Sequence, residues 1–163
     1  MGALSGFMPN VEGAFESALF HAVEEKPSGT SGDTTVSGSY TVRTLNTVKA
    51  NNIPGVSLSA NRITLPAGSY YIAASAPGCF INAHRVAVFR PASASYISFG
   101  TSEFANQNDG ASRSFLFVKY SPSVTVEIEF RHYAQTANSS GLGRASSSGD
   151  PEIYTEVKIW KVA

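Results

Sequence analysis

Charge is scarce in this sequence, and what there is cancels. Only 15% of the residues are charged, twelve basic against twelve acidic, where globular proteins average about a quarter. No segment gathers Lys or Arg into a stripe, so the electrostatic footprint of a nucleic-acid binder is missing. Cysteine is reduced to Cys79 alone, which excludes an intrachain disulfide scaffold and a thiolate metal cluster; the plain expectation is a buried thiol. Long hydrophobic runs are absent too. Residues 1–11 have neither a basic start nor an apolar stretch of signal-peptide length, and nothing approaches the roughly 18 residues of a membrane span. Gly6 stands where N-myristoylation needs Ser or Thr. The expectation is a protein made in a cytoplasm, without membrane insertion.

Helical periodicity is nearly absent from position 39 onward, and period two replaces it. Val124, Val126, Ile128 and Phe130 alternate with Thr125, Glu127, Glu129 and Arg131, the pattern of a strand with one face on a core and one in water. Similar runs lie at 40–48, 56–65, 69–76, 81–89, 96–104, 114–120 and 152–162. Turn chemistry separates them: Asn52 with Pro54-Gly55, Pro66 with Gly68, Pro77-Gly78, Pro91, Asn108-Asp109-Gly110 and Ser121-Pro122. Many short strands at this spacing predict an all-β, two-sheet antiparallel sandwich or jelly roll. The stretch 12–25 fits either a helix or a strand, because Phe15, Ala18, Leu19, Ala22 and Val23 would also line one helical face. Stretches 26–38, 105–112 and 134–151 are rich in Ser, Gly and Asn and read as loops.

Candidate chemistry is thin. His21, His84 and His132 fall on separate strands without a partner at metal-ligand spacing. They read as surface or interface histidines, unless the fold or a threefold axis brings them together. Glu127 and Glu129 sit about 7 Å apart on one strand face, superficially a glycosidase pair; a solvated strand face balanced by Arg131 is the stronger reading. Gly141-Leu142-Gly143-Arg144 imitates the start of a dinucleotide fingerprint but opens no helix, so it reads as a flexible loop. Asn138-Ser139-Ser140 is a formal glycosylation sequon without meaning in a bacterial host. No serine has the local setting of an activated nucleophile. No catalytic residue, cofactor or metal is assigned, and an enzyme is not expected.

The aromatics say more. Tyr70 and Ile72 share one face of their strand, Tyr71, Ala73 and Ser75 the other; Ile153, Val157 and Ile159 oppose Tyr154 and Trp160 on the last strand. A sheet apolar on both sides must bury both. The second side is therefore expected to be a subunit interface made by Tyr71, Ala73, Tyr154 and Trp160, the alternative being that these residues sit under the chain's own N-terminal segment.

The order of motifs carries a resemblance. Arg43-Thr44-Leu45-Asn46-Thr47-Val48 comes first, then Ile63-Thr64-Leu65-Pro66-Ala67-Gly68-Ser69-Tyr70-Tyr71-Ile72 and Ala74-Ser75-Ala76-Pro77. Gly100-Thr101-Ser102-Glu103 and the closing Tyr154-Thr155-Glu156-Val157-Lys158-Ile159-Trp160-Lys161-Val162 follow. This series resembles a phage family of TNF/C1q-like jelly-roll domains, from about residue 19 to the C-terminus. The resemblance implies a homotrimeric virion protein of a head decoration, head fibre or tail fibre. It also implies that 17–25 is the first strand of the inner sheet. The chain departs from the family pattern at 79–82 and 135–151, which leaves any ligand open.

Two units are expected: an arm at 1–13 and the jelly roll at 14–163. The arm would anchor the protein on other virion proteins through Leu4, Phe7, Met8 and Val11, with Pro9 opposing a regular helix. A short arm in place of a long shaft favours a small docking subunit, assembled in the bacterial host cytoplasm and carried in the virion. The alternative is a receptor-binding tip that recognises a host surface glycan or protein through its loops.

Overall fold

The computed structural model describes residues 18–162. In chain order the strands are β1 (Leu19–Lys26), β2 (Ser39–Val42), β3 (Thr47–Asn51), β4 (Ser57–Ser59), β5 (Arg62–Leu65) and β6 (Tyr70–Cys79). There follow β7 (Asn82–Arg90), β8 (Ser95–Phe99), β9 (Glu103–Ala105), β10 (Ala111–Tyr120), β11 (Val126–Ala134) and β12 (Glu152–Lys161). They form two antiparallel sheets. The inner one runs β10-β6-β12-β1-β3 and the outer one β4-β5-β11-β7-β8, with β2 added on β11 and β9 on β7. This is the two-sheet, TNF/C1q-like jelly roll expected from the strand pattern and the resemblance.

Period two builds the core. Phe20 and Ala22 of β1, Tyr70, Ile72 and Ala74 of β6, Leu116 of β10, and Val157 and Ile159 of β12 face Ile63, Leu65, Val86, Val88, Val126, Ile128 and Phe130 of the other sheet. Burying each large side chain contributes roughly 1.5–3 kcal/mol. The Tyr70 hydroxyl, at the edge of this core, donates to the Pro66 carbonyl at 2.9 Å.

Several expected runs divide for physical reasons. Run 40–48 splits because the chain crosses between sheets at 43–46, placing β2 in one and β3 in the other. Run 56–65 is a hairpin, β4 and β5, whose tip residues Ala60 and Asn61 both have positive φ, 49° and 64°, as a two-residue turn of primed type requires. Asn61 then accepts the Leu45 N–H at 3.1 Å, tying the turn to the crossing. Pro77-Gly78, expected as a turn, lies inside β6. There the β6–β12 pairing has ended at Ser75↔Glu156, so Pro77 pairs on one side only and its missing N–H costs no ladder bond. Gly78 is required by space: a Cβ there would lie 2.6 Å from the His84 ring.

The crossing also carries the main polar device. Arg43 is fully buried. Its Nε donates to Thr155 Oγ1 (2.6 Å), Nη1 to the Pro77 carbonyl (3.3 Å), and Nη2 to Glu24 Oε2 (3.0 Å) and the Leu142 carbonyl (2.9 Å). Thr155 Oγ1 donates to the same Glu24 oxygen at 3.0 Å. Burial pushes the guanidinium down to about 10, still charged at neutral pH, while desolvation raises the Glu24 carboxyl.

Leu142 is also fully buried, so Gly141-Leu142-Gly143-Arg144 is a packed loop and not the flexible one expected. Gly32 N–H donates to Gly143 O (2.8 Å) and Leu142 N–H to Asp33 O (3.0 Å), knitting loop 27–38 to loop 135–151. The Glu152 carboxylate closes the join by accepting the N–H groups of Gly29, Ser146 and Ser147. Those amides hold it down at about 2.

Removing one member of a buried pair strands the other. Arg43→Ala is expected to cost about 3–5 kcal/mol of unfolding free energy, and Arg43→Met combined with Glu24→Leu considerably less. Urea melts of the three proteins check this ordering.

Candidate interaction surface

The solvent side of the inner sheet is aromatic. Along β10, Leu116 and Val118 turn to the core, leaving Phe115 57% and Phe117 68% exposed. Register places Phe117 opposite Ala73 and Phe115 opposite Ser75 on β6. Tyr71, 36% exposed, stacks on Phe117 with centroids 5.5 Å apart and planes at 10°. Trp160 pairs with Tyr71 from β12 and with Leu19 from β1. A groove of about 500 Å³ runs between Phe115, Phe117, Ala73, Ser75, Glu156 and Lys158. Its charged floor is self-neutralising, with Lys158 Nζ 3.0 Å and His21 Nε2 2.9 Å from Glu156 Oε1.

The free backbone edge of β10 is capped at Phe115. Thr101 N–H donates to the Phe115 carbonyl at 2.8 Å, and Thr101 Oγ1 accepts the Phe115 N–H at 3.0 Å. Ser114 Oγ holds Thr101 in place through its carbonyl, at 2.7 Å.

Three of the four interface residues expected from sequence, Tyr71, Ala73 and Trp160, thus share this face. Tyr154 shares its parity but is 4% exposed: its ring lies where a Gly143 Cβ would be, and its hydroxyl donates to the Thr30 carbonyl at 2.8 Å. Loops of its own chain cover it. Phe115 and Phe117 were missed by the sequence reading, although Phe115-Leu116-Phe117-Val118 is apolar at both parities and carries the signal used for β6. The arm residues Leu4, Phe7, Met8 and Val11 lie outside the described residues.

The other candidates change character. Glu129, expected on a solvated face, is 3% exposed. It binds Arg131 Nε (2.7 Å) and Arg62 Nε (3.2 Å), beneath an Arg131 guanidinium 3.4 Å from the Phe89 ring centroid. Arg62 also reaches Glu127 at 3.4 Å. Both carboxylates are therefore neutralised by arginines. Cys79 is buried, and desolvation raises its thiol.

His84 and His132, expected at the surface, are buried neighbours: His84 Nδ1 lies 2.9 Å from His132 Nε2, and His84 Nε2 2.8 Å from Ser112 Oγ. The order serine, imidazole, imidazole superficially suits a nucleophile and its base. Proton direction argues otherwise. Ser112 Oγ donates to the Phe104 carbonyl at 3.3 Å, so His84 Nε2–H must donate to Ser112 and His132 Nε2–H to His84. That tautomer leaves His132 Nδ1 as a bare buried acceptor, cheaper than the buried orphan N–H of the reverse chain. The serine proton thus points away from the base. Among the described residues, no three His, Cys, Asp or Glu side chains gather as a metal set.

No family model matches the chain, and no curated protein matches its sequence. Solved structures do match in fold. Murine APRIL at pH 5.0 superposes with a TM-score of 0.55 at 11% identity, covering 89% of this chain and 98% of that one. The PRD1 vertex protein P5 gives 0.55 at 13% identity, over 90% and 98%. At such identities the likeness is one of fold.

The histidine pair makes stability depend on pH. Desolvation lowers both rings, His84 to about 4 and His132 well below its ordinary value, with Arg43 adding to the shift and Glu103 opposing it at His84. Between about 4 and the unfolded value of about 6.5 the unfolded chain binds more protons. Stability is therefore expected to be complete above about 6.5 and to fall as pH drops toward 4. Urea midpoints across that window should show the slope, and His84→Gln with His132→Gln should flatten it.

Proposed function

We propose that this protein is a structural component of a bacteriophage virion, a homotrimeric head-decoration, head-fibre or tail-fibre subunit that docks through its N-terminal arm. The observation that carries this reading is the aromatic face of the inner sheet. Phe115, Phe117 and Tyr71 stand exposed beside a half-buried Trp160 on one sheet face, a contiguous aromatic patch of the kind that marks a contact site, and large aromatics are the usual anchors of subunit contacts. Two likenesses favour it: the jelly-roll family that the sequence resembles implies three copies, and one structure of the same fold is the vertex protein P5 of PRD1. The role is positioning and binding, not catalysis, and its place is the virion assembled in the host cytoplasm.

In this reading Tyr71, Ala73 and Trp160 meet Phe115 and Phe117 of a neighbouring copy, and Tyr154 shapes the end of the interface from beneath its loop. Leu4, Phe7, Met8 and Val11 attach the trimer to other virion proteins. A short peptide with a few apolar side chains binds weakly once ordered, but three linked copies raise the effective concentration of each.

Two measurements test it. Light scattering is expected to give the mass of a trimer at micromolar concentration. Phe117→Ala or Trp160→Ala should shift dissociation to at least tenfold higher concentration, from about 2 kcal/mol per lost aromatic anchor; a monomeric wild type would end the proposal. Deleting residues 1–11 should leave the trimer folded while its incorporation into virions collapses.

A further inference from the structure

The solvent side of the outer sheet is aromatic as well, but built differently. Tyr40, Tyr96 and Tyr133 form a connected cluster, with centroids 4.7 Å apart for Tyr40–Tyr96 and 5.4 Å for Tyr40–Tyr133, and Phe89 and Phe99 join through Tyr96. Arg85 lies 4.3 Å over the Phe99 ring and donates from Nε to the Tyr40 hydroxyl at 3.2 Å. Beside it, a cleft of about 260 Å³ is lined by Tyr40, Tyr133, Arg85, Ser102 and Glu103, with His84 at its back. Every other carboxylate on this face is taken: Glu127 and Glu129 are held by Arg62 and Arg131. Among the described residues, the Glu103 carboxylate makes no ion pair and accepts no side-chain or backbone hydrogen bond, although its backbone pairs with His84 in the ladder, and the Arg85 Nη groups have no carboxylate partner.

We infer that this cleft binds a single neutral pyranose residue of a glycan. A pyranose ring has an apolar C–H face and a rim of hydroxyls, each both donor and acceptor. The cleft offers the complement: phenol rings for the C–H face, an unengaged carboxylate that accepts two hydroxyls, and a guanidinium that donates to ring or hydroxyl oxygen. Its size, below the roughly 300–1,000 Å³ of pockets for drug-sized ligands, fits one ring. Arg85 and Glu103 sum to zero charge, which favours an uncharged sugar over an acidic one. The cleft lies on the opposite side of the sandwich from the inner-sheet aromatics, so covering that face leaves it open. Virion docking is not assumed, and the test is read on purified protein, so the two readings can fail separately.

The test is saturation-transfer NMR of the full chain with the methyl glycosides of glucose, galactose, mannose, N-acetylglucosamine and glucuronic acid. At least one neutral glycoside is expected to bind saturably in the millimolar range. Glu103→Gln and Arg85→Gln should each weaken it roughly tenfold, the loss of one charge-assisted hydrogen bond. Circular dichroism and light-scattering mass should stay unchanged in both variants, and Glu127→Gln, on the same face outside the cleft, should bind as wild type. Absence of binding by every neutral glycoside, binding that survives both cleft substitutions, or preference for the glucuronide would each overturn the inference.

Discussion

Arg43 sits where the chain passes from one sheet to the other, and four hydrogen bonds from its guanidinium tie three neighbouring strands of the inner sheet to the long loop before the last strand. Glu24 belongs to β1, Thr155 to β12, Pro77 to the end of β6, and Leu142 to the long loop before the last strand. The hydrophobic core between the sheets is non-directional and would tolerate some sliding. A planar guanidinium with fixed donor directions does not. The loop packing, the lie of Tyr154 beneath Gly143 and the end of the β6–β12 ladder are therefore set around one buried charge.

What could be read from the amino acids follows the same division between non-directional and directional forces. The β11 alternation and the opposed faces of β6 needed only period two, and they yielded the sheets, the core and an exposed aromatic side. Arg43 could not be found that way, because an arginine in a strand pattern has a solvated reading at least as good as a buried one. Glu129 misled for the same reason: its partners Arg62 and Arg131 come from different strands, and only the pairing of β5 with β11 brings Arg62 across. His84 and His132 meet through the β7–β11 register, which pairs His132 with Val86 and Ala134 with His84. Pro77-Gly78 looked like a turn because local chemistry was read without knowing that a ladder ended there. Phe115 and Phe117 were legible and overlooked.

The two solvent faces of the sandwich divide the chemistry. The inner-sheet face is grooved and rich in aromatics, and the carboxylate on its floor, Glu156, already has Lys158 and His21 beside it. Such a surface gains most from losing water against another protein. The outer-sheet face keeps the Glu103 carboxylate, and the Nη groups of an Arg85 already anchored on Tyr40 and Phe99, without a charged partner beside its phenol rings, so it retains hydrogen-bonding capacity that a protein interface would have to satisfy. A single small domain thereby offers one surface suited to permanent contact and one suited to reversible contact.

The Thr101 clip on β10 bears on how such a protein avoids endless growth. An open sheet edge invites the same edge of another molecule, and sheets joined in that way extend into fibres without a natural stopping point. With the Phe115 carbonyl and amide both occupied by Thr101, the rim is interrupted midway along the strand, beside its exposed aromatics. Association is steered from the edge to the face, and contacts that repeat by rotation about an axis close on themselves after a fixed number of copies. One threonine, through its amide and its hydroxyl, thus helps to separate a closed assembly from a polymer.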